Sequence, residues 1–199
     1  ASAVMLYGMS LLFGVSGTTV LAGIGEAVGS DTGSVAAVTL GIVFVVAGFG
    51  FKVSAAPFHT WAPDVYEGAP TPVTAFLSVA SKTAGFVALL ALVFVGFYGR
   101  ADVWEPLVWV LSAASMTIGN LVALRQTNMV RLMAYSGVAQ TGFMIAPLAV
   151  AGHSVATGDQ ALSATVTYLA IYAAMNLGAF AVVITLARRT GSAEISSYA

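Results

Sequence analysis

Six apolar runs, each long enough to cross a lipid bilayer, take up most of this 199-residue chain. A membrane-spanning helix needs about 20 apolar residues, because the hydrocarbon layer is about 30 Å thick and a helix rises about 1.5 Å per residue. The runs lack the two-residue alternation of strands and are longer than strands. We predict a single all-α transmembrane domain, a polytopic helix bundle, with spans at approximately 1–23, 35–57, 72–98, 107–124, 132–151 and 162–187.

Charged side chains are too scarce for a soluble domain. They make up 8% of the residues, against 59% hydrophobic ones, whereas soluble domains have about 25% charged residues. The net charge is −1 and no basic patch indicates nucleic-acid binding. Without cysteine the chain holds no disulfide, cysteine-bound zinc or iron–sulfur cluster, and two distant histidines make no metal site. We expect no metal and no cofactor in this chain.

The arginines predict the orientation, since cytoplasmic loops are enriched in positive charge. With six spans, one side carries four arginines and the other only Arg100. We expect the richer side, with both chain ends and the 58–70 connection, to be cytoplasmic in a prokaryotic-type inner or cell membrane. Because both ends look like cuts through a longer sequence, we also expect a fragment of a longer subunit. The four arginines are Arg125, Arg131, Arg188 and Arg189.

The stretch from Lys52 to Lys82 carries ionisable groups that a plain membrane anchor would avoid. Lys82 lies ten residues after Pro72, and therefore about 15 Å into a helix that begins there, near the bilayer centre. An ammonium is expensive at that depth. Lys82 is either a structural lysine paired with a carboxylate or a titratable group facing a hydrated interior. We favour the second interpretation, because a desolvated lysine can release and regain a proton.

Lys52 is followed five residues later by Pro57, and we predict a broken helix at this proline. Proline has no N–H, so it would leave the carbonyl of Val53 without its helical donor. Freed backbone groups at membrane depth need partners from protein or water. We therefore expect a polar pocket beside Lys52, with a helical continuation over 58–67. The alternative is a lysine whose stem reaches the nearby interface.

His59 lies just past the predicted break. A histidine titrates near neutral pH and could relay protons, although a lone histidine at an interface is more often structural. Asp64 and Glu67 lie in a stretch rich in proline and glycine. We interpret both as capping and turn residues before the helix that begins near Pro72.

The residues around both lysines resemble a known family. Residues 51–86 read FKVSAAPFHTWAPDVYEGAPTPVTAFLSVASKTAGF, which closely resembles the central signature of subunit N of proton-pumping NADH:quinone oxidoreductase, respiratory complex I. Mitochondrial and chloroplast counterparts and antiporter-type subunits share it. The similarity continues through GNLVALRQTNMVRLMAYSGVAQTGFM and YLAIYAAMNLGAF, and so covers nearly the whole chain.

The resemblance implies an antiporter-like fold with two inverted repeats, each containing a broken helix. In that family protons move along buried lysines, glutamates, histidines and water, driven by electron transfer elsewhere. Lys52 matches the lysine of the first broken helix, Lys82 the central lysine of the next helix, and His59 the histidine past the break. Many members have a histidine in the fifth span where this chain has Gln140, which weakens a relay there.

The resemblance also implies partners and chemistry outside this chain. The partners would be the lipid bilayer and other membrane subunits of complex I. NADH, FMN, iron–sulfur clusters and quinone would be held by other subunits. The chain would contribute to an H⁺-translocating enzyme while carrying no redox chemistry of its own.

Three functions remain open at this point. The leading hypothesis is a proton-translocating subunit in which Lys52 and Lys82 are coupled by charge repulsion. At an effective dielectric constant near 20, two charges about 8 Å apart would interact by about 2 kcal/mol. The alternatives are a Na⁺/H⁺ antiporter subunit, disfavoured by the few carboxylates in the spans, and a scaffold whose lysines merely pair with carboxylates.

Overall fold

The structure is a computed structural model that describes residues 1–30 and 34–198. These residues form helices and no strand, apart from an isolated bridge between Asn128 and Glu194, so the all-α prediction is confirmed. The helices are α1 (Ser2–Ser16), α2 (Leu21–Gly29), α3 (Val35–Lys52), α4 (Trp61–Gly68), α5 (Thr71–Gly96), α6 (Ala101–Ala123), α7 (Met129–Ile145) and α8 (Val155–Thr190).

Within the described residues, five helices are long and apolar enough to cross a membrane, and the bent pair α1–α2 would make a sixth. The longest is α8, which extends beyond the expected span at both ends. Its start is closed by a capping box, in which Ser154 and Thr157 each bond the other's backbone N–H. Its end is closed by Gly191, whose φ of 72° lies in the left-handed region.

The first expected span is two helices. The chain bends by 70° between α1 and α2, because Gly17 adopts a left-handed φ of 66° and ends α1. Helix α2 then continues to Gly29, so Glu26 lies in a helix and not in a loop between the expected spans 1–23 and 35–57. Asp31 and Gly33 of that loop lie outside the described residues.

The helix break is present but begins earlier than predicted. Helix α3 ends at Lys52, five residues before Pro57. Ser54 adopts a left-handed φ of 61°, a conformation that does not continue a right-handed helix. The chain becomes helical again at Trp61, so the expected continuation starts three residues later than 58. Pro57 therefore lies within a non-helical linker over residues 53–60.

Small residues let the helices approach closely. A Cβ atom at Gly8 of α1 would lie 2.8 Å from the carbonyl oxygen of Gly41 of α3. A Cβ atom at Gly119 of α6 would lie 2.5 Å from the backbone nitrogen of Ala139 of α7. Such contacts support helix association in lipid, where apolar burial supplies little drive.

At one end of the bundle, two chain segments meet. The N–H of Met129 donates to the carbonyl of Ala193, and the N–H of Ile195 donates to the carbonyl of Thr127. The turn before α7 therefore meets the segment after α8. Arg125, Arg131, Arg188 and Arg189 lie at this end, while Arg100 precedes α6 at the other end of that helix. Which side of the membrane this end faces stays a prediction.

Candidate functional site

Lys82 is buried in the middle of the bundle. Its side chain is 4% exposed, and Lys82 is the only lysine, arginine or carboxylate among the buried residues of 1–30 and 34–198. The Nζ atom donates to the carbonyl of Gly137 at 2.7 Å and to the hydroxyl of Thr141 at 3.0 Å. It also lies 5.6 Å from the centre of the Tyr172 ring, at cation–π distance. Three helices, α5, α7 and α8, therefore enclose the ammonium.

The partners of Lys82 are uncharged. In the part of the chain that the structure describes, the ion pairs are Arg100–Asp102, Arg131–Asp64, Arg131–Glu67 and His153–Glu105, and neither Lys82 nor Lys52 takes part. A carbonyl and a hydroxyl stabilise an ammonium by hydrogen bonds without neutralising it. The interpretation of Lys82 as one half of a buried salt bridge therefore has no support among these residues.

A second layer of polar groups lies one turn before Lys82. Residues Leu77–Ser81 wind as a π-helix, a form that occurs frequently at functional sites. The hydroxyl of Tyr172 donates to the carbonyl of Ser78 at 3.4 Å, and the amide of Asn176 donates to the Ser78 hydroxyl at 2.7 Å. Polar groups of α5 and α8 thus extend the surroundings of Lys82 along the helix axis.

Thr141 joins Lys82 to the helix break. Its hydroxyl lies 2.9 Å from the carbonyl of Val53 and 3.0 Å from Lys82 Nζ. Val53 is the residue whose carbonyl Pro57 was expected to deprive of its helical donor. The partner that the Val53 carbonyl requires is therefore the hydroxyl of Thr141 in α7, which also accepts a hydrogen bond from Lys82.

Lys52 has different surroundings. It is the last residue of α3 and is exposed. Its stem packs where α5 passes, since a Cβ atom at Gly85 would lie 3.2 Å from Lys52 Cγ. The adjoining groove, about 370 Å³, is lined mainly by apolar residues of α1, α3 and α5. The expectation of a polar pocket beside Lys52 is therefore wrong for the described residues; the polar groups gather around Lys82.

His59 lies inside the linker of the break. It is 8% exposed, and its Nδ1 atom has no hydrogen-bond partner among the described residues. Its ring meets the ring of Tyr135 of α7 edge-on, with centres 6.1 Å apart. The described contacts do not join His59 to either lysine, so its part in proton transfer stays a prediction.

Asp64 and Glu67 are not the capping residues that we expected. Both lie in α4, and α5 begins at Thr71 without a side-chain cap. Each carboxylate instead accepts a 2.7 Å hydrogen bond from Nη1 of Arg131. Because Arg131 lies in the first turn of α7, this ion-pair cluster fastens α4 to the helix that carries Thr141 and Gly137.

Gln140, in α7, forms a hydrogen bond with a tyrosine. The hydroxyl of Tyr168 of α8 donates to Gln140 Oε1 at 2.5 Å. Gln140, the residue that was expected to weaken a relay here, therefore has a hydrogen-bond partner in α8.

Sequence reasoning found Lys82 but missed the residues that hold it. A signal was present in the spacing: Gly137 and Thr141 are four residues apart, as are Tyr172 and Asn176. Residues four apart share one face of a helix. Without the packing, however, nothing in the sequence indicates that these two faces meet at Lys82.

These features define a polytopic membrane protein with a broken helix and a buried lysine held by uncharged polar groups. The chain belongs to the NADH:quinone oxidoreductase/Mrp antiporter transmembrane family, whose model matches residues 1–199. The predicted family is therefore confirmed, together with the antiporter-like bundle as the class of fold.

Individual relatives agree with this assignment. The chain is 51% identical over 200 residues to NAD(P)H-quinone oxidoreductase subunit 2 of Synechococcus sp. (strain CC9902), covering 100% of this chain and 36% of the relative. It is 46% identical over 199 residues to NADH-quinone oxidoreductase subunit N of Desulforamulus reducens (strain ATCC BAA-1160 / DSM 100696 / MI-1), covering 100% of this chain and 40% of the relative. The chain thus spans well under half the length of these relatives.

A solved structure has the same arrangement of helices. A chain of respiratory complex I from Thermus thermophilus with bound aureothin matches with a TM-score of 0.70 and 34% sequence identity. The match covers 93% of this chain and 37% of that one.

Proposed function

We propose that this chain is a proton-translocating part of the membrane domain of an NADH:quinone oxidoreductase, in which Lys82 takes up and releases protons. The observation that carries the proposal is the position of Lys82: it is buried, and its partners are a carbonyl and a hydroxyl. A lysine without a fixed counter-charge can exist in either protonation state in a buried site, because desolvation disfavours the ammonium while no carboxylate locks it in place.

The rest of the proposal follows from the relatives. Their names place them in quinone oxidoreductases, so we propose other membrane subunits of such a complex as partners, in a prokaryotic-type membrane. NADH, FMN, iron–sulfur clusters and quinone would then belong to those other subunits. Electron transfer there would drive proton movement through this chain. Lys52 and His59 would be further carriers, and the contact of Lys52 with Gly85, one turn beyond Lys82, supports a role for Lys52.

The movement of a proton would be driven by charge. Inside a protein, two unit charges several ångströms apart interact by a few kcal/mol at an effective dielectric constant near 20. A charge that arrives beside Lys82 would therefore favour loss of its proton, and departure of that charge would favour its return. The carbonyl of Gly137 and the hydroxyl of Thr141 would hold the amine in place in both states.

The test is proton pumping by the intact complex in membrane vesicles with Lys82→Ala and Lys82→Arg. We expect both variants to lose coupled pumping, because alanine has no titratable group and arginine does not release its proton. Arg189→Gln is the control, since it removes an exposed cation at the end of α8. Full pumping by both Lys82 variants would exclude Lys82 as a carrier.

The family description also includes Mrp antiporters, so the same vesicles should be tested with an imposed sodium gradient. Sodium-dependent proton flux that Lys82→Ala abolishes would favour the antiporter function over redox-driven pumping. Normal assembly and normal pumping in the absence of Lys82 would instead favour a scaffold.

A further inference from the structure

Lys82 and the helix break compete for one proton, the hydroxyl proton of Thr141. The Thr141 oxygen lies 2.9 Å from the carbonyl of Val53, 3.0 Å from the carbonyl of Gly137 and 3.0 Å from Lys82 Nζ. A threonine hydroxyl has a single proton to donate. The neighbour that accepts this proton must have a free lone pair, and whether Lys82 has one depends on its protonation state.

With Lys82 protonated, the hydroxyl proton goes to the break. The ammonium has donors and no lone pair, so it donates to the Thr141 oxygen and leaves the hydroxyl proton for a carbonyl. The Gly137 carbonyl already accepts a hydrogen bond from Nζ of Lys82 at 2.7 Å. The carbonyl of Val53 has no helical partner, because residues 53–60 are not helical and Pro57, four residues on, has no N–H. The hydroxyl of Thr141 therefore donates its proton to the carbonyl of Val53.

With Lys82 neutral, the balance changes. A neutral amine has a lone pair that can accept the hydroxyl proton. The carbonyl of Val53, a residue that is 1% exposed, then loses its donor. A buried carbonyl without a partner is costly, so the linker over residues 53–60 becomes easier to open.

We propose that Thr141 is a positioning residue that links the protonation state of Lys82 to the conformation of the helix break. The charged lysine favours the closed break, and the neutral lysine loosens it. This inference rests on the proposed function, in which Lys82 changes its protonation state. It adds a connection between the proton carrier, Lys82, and the helix break at residues 53–60, through the hydroxyl of Thr141.

The test is hydrogen–deuterium exchange of residues 53–60 in the intact complex, with coupled pumping measured on the same samples. Thr141→Val keeps the shape of the side chain and removes the hydroxyl. We expect the exchange of these residues to become about fivefold faster, since the break loses a hydrogen bond, and pumping to fall. Thr141→Ser keeps the hydroxyl and should restore both quantities to the wild-type values.

The matched control is Thr165→Val. Thr165 is also a buried threonine, and its hydroxyl donates to the carbonyl of Met144 of α7 at 3.1 Å, away from the contacts of Lys82 and of the break. It should leave exchange at residues 53–60 and pumping unchanged. Wild-type exchange in Thr141→Val, an equal rise in Thr165→Val, or a failure of Thr141→Ser to rescue would each overturn the proposal.

Lys82→Met tests the direction of the effect. It removes the competing lone pair, so exchange at residues 53–60 should stay at or below the wild-type rate, and a rise as large as that of Thr141→Val would contradict the proposed direction.

The two proposals can also fail separately. Normal pumping by Lys82→Ala would overturn the proposed function, whereas loss of pumping there with wild-type behaviour of Thr141→Val would overturn only the role of Thr141.

Discussion

The two lysines of this chain lie in similar apolar sequence and end in different surroundings. Lys82 is in the interior of α5, enclosed by α7 and α8, with two hydrogen bonds and an aromatic ring around its ammonium. Lys52 is the last residue of α3, exposed beside an apolar groove. A lysine within a span is held by every helix that packs around it, whereas one at a helix end can turn its charged group away from the core.

The two lysines also differ in how they relate to the helix break at residues 53–60. The break follows Lys52 directly, yet its freed carbonyl at Val53 is satisfied by Thr141, which belongs to the surroundings of Lys82. The break is therefore next to Lys52 in sequence and hydrogen-bonded to the Lys82 site in space. Of the two lysines, Lys82 is the one that hydrogen bonds among the described residues link to the break, through the hydroxyl of Thr141.

The largest expected effect comes from replacing each lysine by methionine, which keeps much of the stem and removes the charge. Lys82→Met should lower coupled proton pumping by about tenfold or more, in the range that proton-transfer groups contribute. Lys52→Met should also lower it, but by less than Lys82→Met, because Lys52 is an exposed further carrier whose ammonium lies outside the buried site. The measurement is the proton-to-electron ratio in vesicles. Equal losses would show that burial does not distinguish the two lysines.

A smaller effect is expected from filling the space beside the ammonium. A Cβ atom at Gly137 would lie 3.3 Å from Lys82 Nζ and 3.3 Å from the Tyr172 hydroxyl, so Gly137→Ala should displace the amine slightly. We expect pumping to fall by about fivefold, because small displacements of reacting groups are costly.

Gly178→Ala is the control for that substitution. Gly178 also lies within a long helix, α8, but a Cβ atom there meets nothing within 4 Å. Both changes raise helix propensity by a similar amount, so a difference in pumping reports the displaced lysine. Equal activity of the two variants would mean that the position of the amine is not critical.

The smallest effect is expected at the ion-pair cluster that fastens α4. Arg131→Gln removes both contacts to Asp64 and Glu67, whose carboxylates are exposed, and such pairs contribute about 0.2–1 kcal/mol each. Hydrogen exchange over α4 should become about threefold faster, and the difference from wild type should shrink at high salt because the charges are screened. Arg189→Gln should leave α4 unchanged, and a change in α4 of the same size there would rule out a specific role for Arg131.

Much of the fold follows from the sequence because the bilayer restricts it. Backbone groups in hydrocarbon must be bonded within the chain, so long apolar runs can only be helices or barrel strands, and their length excluded strands. Boundaries were less predictable. The 70° bend after Ser16 and the end of α3 at Lys52 depend on the left-handed residues Gly17 and Ser54, and apolar composition carries little information about such single dihedral angles.

The site divides in the same way. Lys82 was predictable from sequence alone, because an ammonium so far from either end of an apolar run must be accommodated by something polar. Its partners were not predictable, and neither was the pairing of Asp64 and Glu67 with Arg131. They come from helices far apart in the sequence, and which helix faces meet is decided by close packing at small residues such as Gly119.

The sequence by itself determined that this chain is a membrane helix bundle of the NADH:quinone oxidoreductase/Mrp antiporter family, with a costly charge in the middle of one span. Only the tertiary structure decided that this charge meets a carbonyl and a hydroxyl instead of a carboxylate, and that the hydroxyl also closes the helix break. The physical reason is that burial cost depends on position along one helix, whereas hydrogen bonds depend on how several helices are packed.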